Sequence, residues 1–484
     1  MQPQLELLDR ELVPRILDEA FQLLQEPGVK VEAAAARALL AEAGASVDEE
    51  QQVARLPETL VQQALETAPH AFTLHRRDGK VGVTYGGDAV HFDPGSSGVH
   101  VLDPETLEHR TARTPDLLRL IQVAEQLPQY DAQSTAVVCD EVPTAVADIY
   151  RLYLLLLYSE KPIVTGAFSA HGAPAMIDML ALASGGHEAL RTQPRAIFDV
   201  CPTPPLIWSE FGAQNLIDLA RAGVPAQIVS MPLAGAAAPV TLLGSVVQHA
   251  AECLSGITIH QLAGPGSPVV WGGAPAIFDM RHGTTPMGAI ETAMIDAAYA
   301  QVGKSLGLPT HAYLGASDAK IVDAQAGLES GLTALIGALA GINMISGAGM
   351  LDFLACQSAE KLVIDAEAIA MARRLLRGIE EQTATLATAL FAGIDFRPDF
   401  LKQKATRQLF RKEQYLPSAV IDRGSRRSWQ EAGSPDTFAR AQARVEELLA
   451  SYERPALPPE TERALGEMMG RLAQAAGMER LPGT

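Results

Sequence analysis

The stretch G-V-P-A-Q-I-V-S, Gly223 to Ser230, decides how this chain is built. A glycine able to close a helix is followed by a proline and then a short β-rich run. The same cadence returns as G-P-G-S-P-V-V-W-G from Gly264, G-L-P-T-H-A-Y from Gly307 and G-I-N-M-I-S from Gly341. The intervals between these glycines are 41, 43 and 34 residues, enough for one strand, one helix and two loops. The runs are continuously apolar rather than alternating, as expected of parallel strands covered on both faces.

Working outward, the cadence recurs eight times, near Val99–Leu102, Ser134–Val138, Pro162–Gly166, Arg195–Val200, Pro225–Ser230, Pro268–Gly272, Thr310–Leu314 and Asn343–Ser346. Helix signals separate them. Thr114-Pro115-Asp116 places a cap, a first-turn proline and an acid in order, and Thr285-Pro286 repeats cap and proline. Eight strand–helix units predict an α/β fold, a (β/α)8 TIM barrel over residues 91–380. A doubly wound open sheet is the alternative, but no G-x-G-x-x-G follows the first strand. Residues 1–90 read as a helical and hairpin extension, with an amphipathic pattern through Leu5, Leu8, Leu12, Ile16 and Leu23. Residues 381–484 read as a helical extension, with helices at 382–392 and 436–452 and a basic loop, Asp422 to Arg427, between them.

Composition narrows the function. The chain has 484 residues, 38 basic and 57 acidic, for a formal charge of −19, so nucleic acid is not the expected partner. Four dispersed cysteines, Cys139, Cys201, Cys253 and Cys356, suit a reducing, cytoplasmic setting and no zinc or redox motif. The apolar run Leu152–Tyr158 is too short to span a bilayer, so no membrane partner is expected. Histidines are scattered without metal-ligand spacing, and no metal site is expected. Gly303-Lys304-Ser305 lacks the leading glycine of a phosphate loop. Association into a homo-oligomer is expected of a large barrel.

Barrel chemistry gathers at the C-terminal ends of the strands. That rule nominates Asp93 and His100 early in the barrel, Asp140 after the second run and Phe168 after the third. Trp208 and Trp271, two of only three tryptophans, fall at later strand ends. Arg281, His282, Tyr313, Asp318 and Phe353 complete the rim, with Asp199 and Ser346 among its further polar residues. An acidic and aromatic rim suits an organic cation. Equally, the rings cap the barrel core. Arg281-His282 either holds a substrate carboxylate or pairs with a neighbouring aspartate.

At the last two units, S-D-A-K-I-V-D-A-Q-A-G (Ser317 to Gly327), A-L-A-G-I-N-M-I-S-G-A-G-M-L-D (Ala338 to Asp352) and K-L-V-I-D-A-E-A-I (Lys361 to Ile369) resemble the trimethylamine methyltransferase family of corrinoid-dependent enzymes. Asp93 to Asp103 and Arg281-His282-Gly283 are consistent with it, over roughly residues 10–450. The resemblance implies a (β/α)8 barrel. Standard residues throughout place the chain with the branch that lacks pyrrolysine, whose members demethylate quaternary amines such as glycine betaine, proline betaine, carnitine and γ-butyrobetaine. It implies methyl transfer from a quaternary amine, glycine betaine first, to the Co(I) corrinoid (cobalamin) of a separate cognate corrinoid protein. No D-x-H-x-x-G cobalamin signature occurs in this chain. No catalytic residue is assigned. A barrel that binds betaine-like cations without catalysis is the alternative, and a lyase with Lys320 as a Schiff-base amine is a third.

Overall fold

The computed structural model describes residues 3–169, 171–393, 396 and 400–483. Eight parallel strands form its central sheet: β1 (His91–Pro94), β2 (Gln133–Ser134), β3 (Ile163–Gly166), β4 (Ala196–Val200), β5 (Ala226–Ser230), β6 (Val269–Gly273), β7 (Thr310–Tyr313) and β8 (Met344–Ala348). Their order is β2-β3-β4-β5-β6-β7-β8-β1. The ends of the sheet meet: Asp131 N–H donates to the Phe92 carbonyl at 2.8 Å, and Ser134 Oγ to the Gly95 carbonyl at 2.9 Å. The sheet is therefore a nearly closed barrel. Helices between consecutive strands form an outer ring, among them Thr114–Gln126, Thr144–Tyr158, Leu242–Ala263 and Ile290–Ser305. Helices cover the outer face and the barrel interior the inner one, so β3 to β8 are buried at every position, which explains their predominantly apolar runs.

The glycine signals act as read. Gly223 ends the helix Glu210–Ala222 at φ +69°, a left-handed turn that a side chain strains. The helix Leu242–Ala263 has the length and hydropathy to cross a membrane, but most of it is buried against the barrel and its neighbouring helices.

The N-terminal extension closes the bottom of the barrel. Phe72–His75 and Val81–Tyr85 form an antiparallel hairpin. Its Leu74, Val83 and Tyr85 pack with Val164, Ile197, Val270 and Met344 from the lower half of the barrel strands. That plug leaves the C-terminal ends of the strands as the open face.

Four expectations are corrected. The first barrel strand is His91–Pro94, not Val99–Leu102. His100–Leu102 instead pairs with His109–Thr111 and Cys356–Gln357 in a small separate sheet. H-F-D-P was hidden by its brevity and by Asp93, a polar residue on a barrel-facing position. Second, Thr285-Pro286 does not begin a helix. The Asp318 carboxylate takes the N–H groups of Met287 and Gly288, and the helix starts at Ile290 with Ala289 as its cap residue. Third, 382–392 holds no α-helix, only a 3-10 turn at Thr388–Phe391. Leu386 is 85% exposed there, and an amphipathic segment with nothing to pack against lacks the main source of helix stability. Fourth, residues 1–70 are not helical throughout. Val29–Val31, Ser46–Asp48 and Val53–Arg55 are short strands, and the first pairs with Ile207–Trp208. The helix expected near 436–452 is present as Thr437–Ser451.

Candidate active site

Strand register places the chemistry. Tyr313 lies level with Ser346, and Ser346 with Asp93, across β7, β8 and β1. Asp199 lies level with Gln227 across β4 and β5. These side chains form two connected networks. In one, Tyr313 Oη donates to Asp199 Oδ2 at 2.9 Å, and Gln227 Nε2 donates to Asp199 Oδ1 at 2.6 Å. Ser96 lies 2.8 Å from the same Tyr313 oxygen and supplies its hydroxyl proton there. In the other, Ser346 Oγ donates to Asp93 Oδ1 at 2.5 Å, and His311 Nε2 lies 3.1 Å from Ser346 Oγ.

The electrostatics are unusual for a protein interior. Asp93 and His311 are fully buried, and Asp199 is nearly so. Burial raises the Asp93 carboxyl well above its ordinary range, against the opposing Ser346 hydrogen bond. Burial pushes Asp199 up to about 6, against the bonds from Tyr313 and Gln227. Burial lowers His311 to about 3, so it is neutral and, as the donor to Ser346, carries its proton on Nε2. Asp93 Oδ2 is buried without a hydrogen-bond partner, and so is His311 Nδ1. Among the described residues, neither carboxyl group is paired with a lysine or arginine. A buried acid with a vacant oxygen and no cation beside it favours its protonated form, and it can ionise when a cation is brought to it.

Above the networks lies an apolar layer: Val229, Ala276, Met287 and Tyr313, with Cys201, Leu233, Ala274 and Leu354 packed against them. Leu354 belongs to the turn between Met350–Leu351 and Cys356–Gln357. Asp352, Phe353 and Leu354 have φ of 48°, 56° and 69°, three left-handed residues in succession and none a glycine. Each such residue costs about 1–2 kcal/mol, so surrounding contacts must hold the turn. Lys320 Nζ stands 3.8 Å from the Phe353 ring centre and 3.4 Å from the Asp352 carboxylate. His109 Nδ1 lies 3.7 Å from the other Asp352 oxygen.

The nominated residues divide sharply. Asp93 and Tyr313 both face the interior, each in one of the two networks. Phe168 stands at the rim, half-exposed, its ring over Gly166. Phe353 sits under Lys320 on the strained turn. The others are corrected away from a shared site. Trp271 projects outward from β6: its indole N–H donates to the Tyr299 carbonyl at 3.0 Å, and its ring lies against His249 and the Gly303 backbone. Trp208 donates to Ser255 Oγ at 2.9 Å and packs on Gly256 of the helix Leu242–Ala263. Both rings are fully buried between barrel and helices, the core-capping alternative, so neither faces a cation in the barrel. Arg281 pairs with Asp279 at 2.6 Å and is 81% exposed, while His282 lies 3.4 Å from the same carboxylate. Asp318 is occupied by the two backbone N–H groups that hold residues 287–288, and burial brings it up to about 6. Asp140 is exposed on the loop after β2. His100 lies on the small sheet with its ring 6.4 Å from His109.

Ser96, Gln227 and His311 were missed. Gln227 in A-Q-I-V-S and His311 in T-H-A-Y carried a signal, a polar residue interrupting an apolar strand. Ser96 carried none.

Comparison with known proteins identifies the family. The model of the family described as trimethylamine methyltransferase (MTTB) matches residues 1–477. The chain belongs to the trimethylamine methyltransferase family. It is 34% identical over 459 residues to the trimethylamine methyltransferase of Methanosarcina thermophila, covering 93% of this chain and 94% of the relative. It is 30% identical to the corresponding protein of Desulfitobacterium hafniense (strain DSM 10664 / DCB-2), over 98% and 95% of the two chains. A glycine betaine methyltransferase of Desulfitobacterium hafniense (strain Y51) is 28% identical over 99% of each chain. Among solved structures, the monomethylamine methyltransferase of Methanosarcina barkeri matches with a TM-score of 0.54 at 11% identity, over 92% and 89% of the chains, a likeness of fold. Family members are methyltransferases. The names of these relatives describe methylated amines.

Proposed function

We propose that this protein transfers a methyl group from a quaternary amine, glycine betaine first, to the Co(I) corrinoid of a separate protein. One observation supports the reading: two buried acids, Asp93 and Asp199, face the barrel interior with no basic side chain among the described residues paired to either. A permanent cation would stabilise their ionised forms and be held by that charge. Tyr313 and Phe168 offer ring faces beside it.

A quaternary nitrogen leaves as a neutral amine, so the chain need not protonate it. The corrinoid supplies the nucleophile: its electron pair forms the new bond to the methyl carbon, and the C–N pair stays on nitrogen. The residues of this chain hold the cation, align one methyl with the open face and exclude water. The substrate loses its charge in the reaction. Carboxylates with raised pKa values then take back protons rather than remain as unpaired buried anions, which limits how tightly the ground-state cation is held. Exposed apolar side chains on loops after the strands, Phe168, Met231, Val240 and Met280, support docking of a corrinoid protein at this face.

The test is a donor screen. Co(I) corrinoid protein is supplied with each of several quaternary amines and with trimethylamine, and methyl-cobalt formation is followed by absorbance. Methylation from a quaternary amine is expected. Turnover of trimethylamine alone overturns the quaternary reading.

A further inference from the structure

We infer that Leu354 is a specificity-determining residue, the apolar ceiling that sets how large a group the bound nitrogen carries. This rests on the reading of the interior as a cation site. The side chain packs against the layer containing Val229, Met287 and Tyr313, and Tyr313 is bonded directly to Asp199. Leu354 therefore stands in the apolar layer that includes the tyrosine bonded to Asp199, where an alkyl substituent of a cation held by Asp199 would meet it.

The turn that carries Leu354 is built for this placement. Three successive left-handed residues are not needed to reverse a chain. Here they are imposed, and the restraints come from two separate segments. Lys320, after β7, grips both the Asp352 carboxylate and the Phe353 ring. His109, on the small sheet, reaches the same carboxylate and the Lys320 carbonyl, the latter at 2.6 Å. Asp352 N–H is tied to the Ala319 carbonyl at 3.0 Å. Apart from the His109–Lys320 bond, which ties the two restraining segments together, these contacts fall on Asp352 or Phe353. Leu354 receives none of them and is left free to face the interior layer. Strain is held where it presents a side chain to a ligand.

The test is calorimetric titration of the full-length protein with tetramethyl-, tetraethyl- and tetrapropylammonium, which needs no methyl transfer. The wild type is expected to prefer tetramethylammonium. Leu354→Ala is expected to reduce the tetramethyl-to-tetrapropyl affinity ratio at least tenfold, and Leu354→Phe to increase it. Should the alanine variant fail to fold, Leu354→Val gives a smaller shift in the same direction. Binding with an unchanged ratio in the variants overturns the ceiling and leaves the cation reading standing. Failure of the wild type to bind any of the three ions overturns the cation reading, and this inference with it.

Discussion

Tyr313 and Asp199 share a 2.9 Å hydrogen bond across the barrel interior, from β7 to β4. The tyrosine oxygen also accepts from Ser96, and the aspartate also accepts from Gln227. Both Asp199 oxygens are thus engaged by neutral donors and neither by a cation. This arrangement steadies an ionised carboxylate while leaving its charge available to a ligand.

Asp199→Asn removes that charge. Affinity for a quaternary amine is expected to drop at least tenfold by calorimetry. The same change is expected to stabilise the free protein at pH 7. A carboxyl raised from 3.8 to about 6 by burial is ionised at neutral pH against a penalty, and removing it recovers on the order of 1–3 kcal/mol. A variant that binds as tightly as the wild type would falsify the assignment of Asp199 to the cation.

The same carboxyl sets a pH dependence. Its folded-state pKa lies above the unfolded value, so between about 4 and 6 the folded chain binds more protons than the unfolded one. Stability of the free protein is therefore expected to fall as pH rises through that window. Cation affinity is expected to move the opposite way, increasing by up to about tenfold per pH unit below about 6, with uptake of the cation releasing a proton. Titrations in buffers of different ionisation enthalpy measure that proton directly. Equal heats in all buffers near pH 6 count against it.

Tyr313→Phe deletes the donor to Asp199 and leaves the ring. Loss of a bond that favours the charged form is expected to move the pH midpoint of cation binding toward alkaline values. The readout is the midpoint, which a loss of packing alone does not shift.

Trp271→Ala and Arg281→Ala separate core from rim. Trp271 is wholly buried against Tyr299, His249 and Gly303, and its removal is expected to cost about 3–5 kcal/mol in chemical denaturation. Arg281 is exposed and paired only with Asp279, so Arg281→Ala is expected to leave Tm and betaine affinity unchanged. A large loss of betaine affinity in Arg281→Ala shows that the side chain leaves Asp279 to meet the substrate carboxylate.

Much of the fold was legible because it repeats. Helix-closing glycines at 223, 264, 307 and 341, each before an apolar run, can recur at such intervals only if strands and helices alternate. The site was less legible. Tyr313 was nominated by its position at a strand end and faces the interior, whereas Trp208 and Trp271, nominated the same way, face the helices. His91–Pro94 was passed over as a strand because its inward Asp93 breaks the apolar pattern.

The amino-acid sequence alone determined seven of the eight barrel strands, their parallel direction and the family. Only the tertiary structure decided which residues look into the barrel. A parallel strand covered on both faces is apolar on both, so the two-residue alternation that reveals inside and outside in a half-exposed sheet is erased. Register then fixes the matter in space: it sets Tyr313, Ser346 and Asp93 level and turns Trp271 outward to Tyr299. The strained turn at Asp352–Leu354 is of the same kind, since its restraints come from Lys320 and His109, which approach it only once the chain has folded.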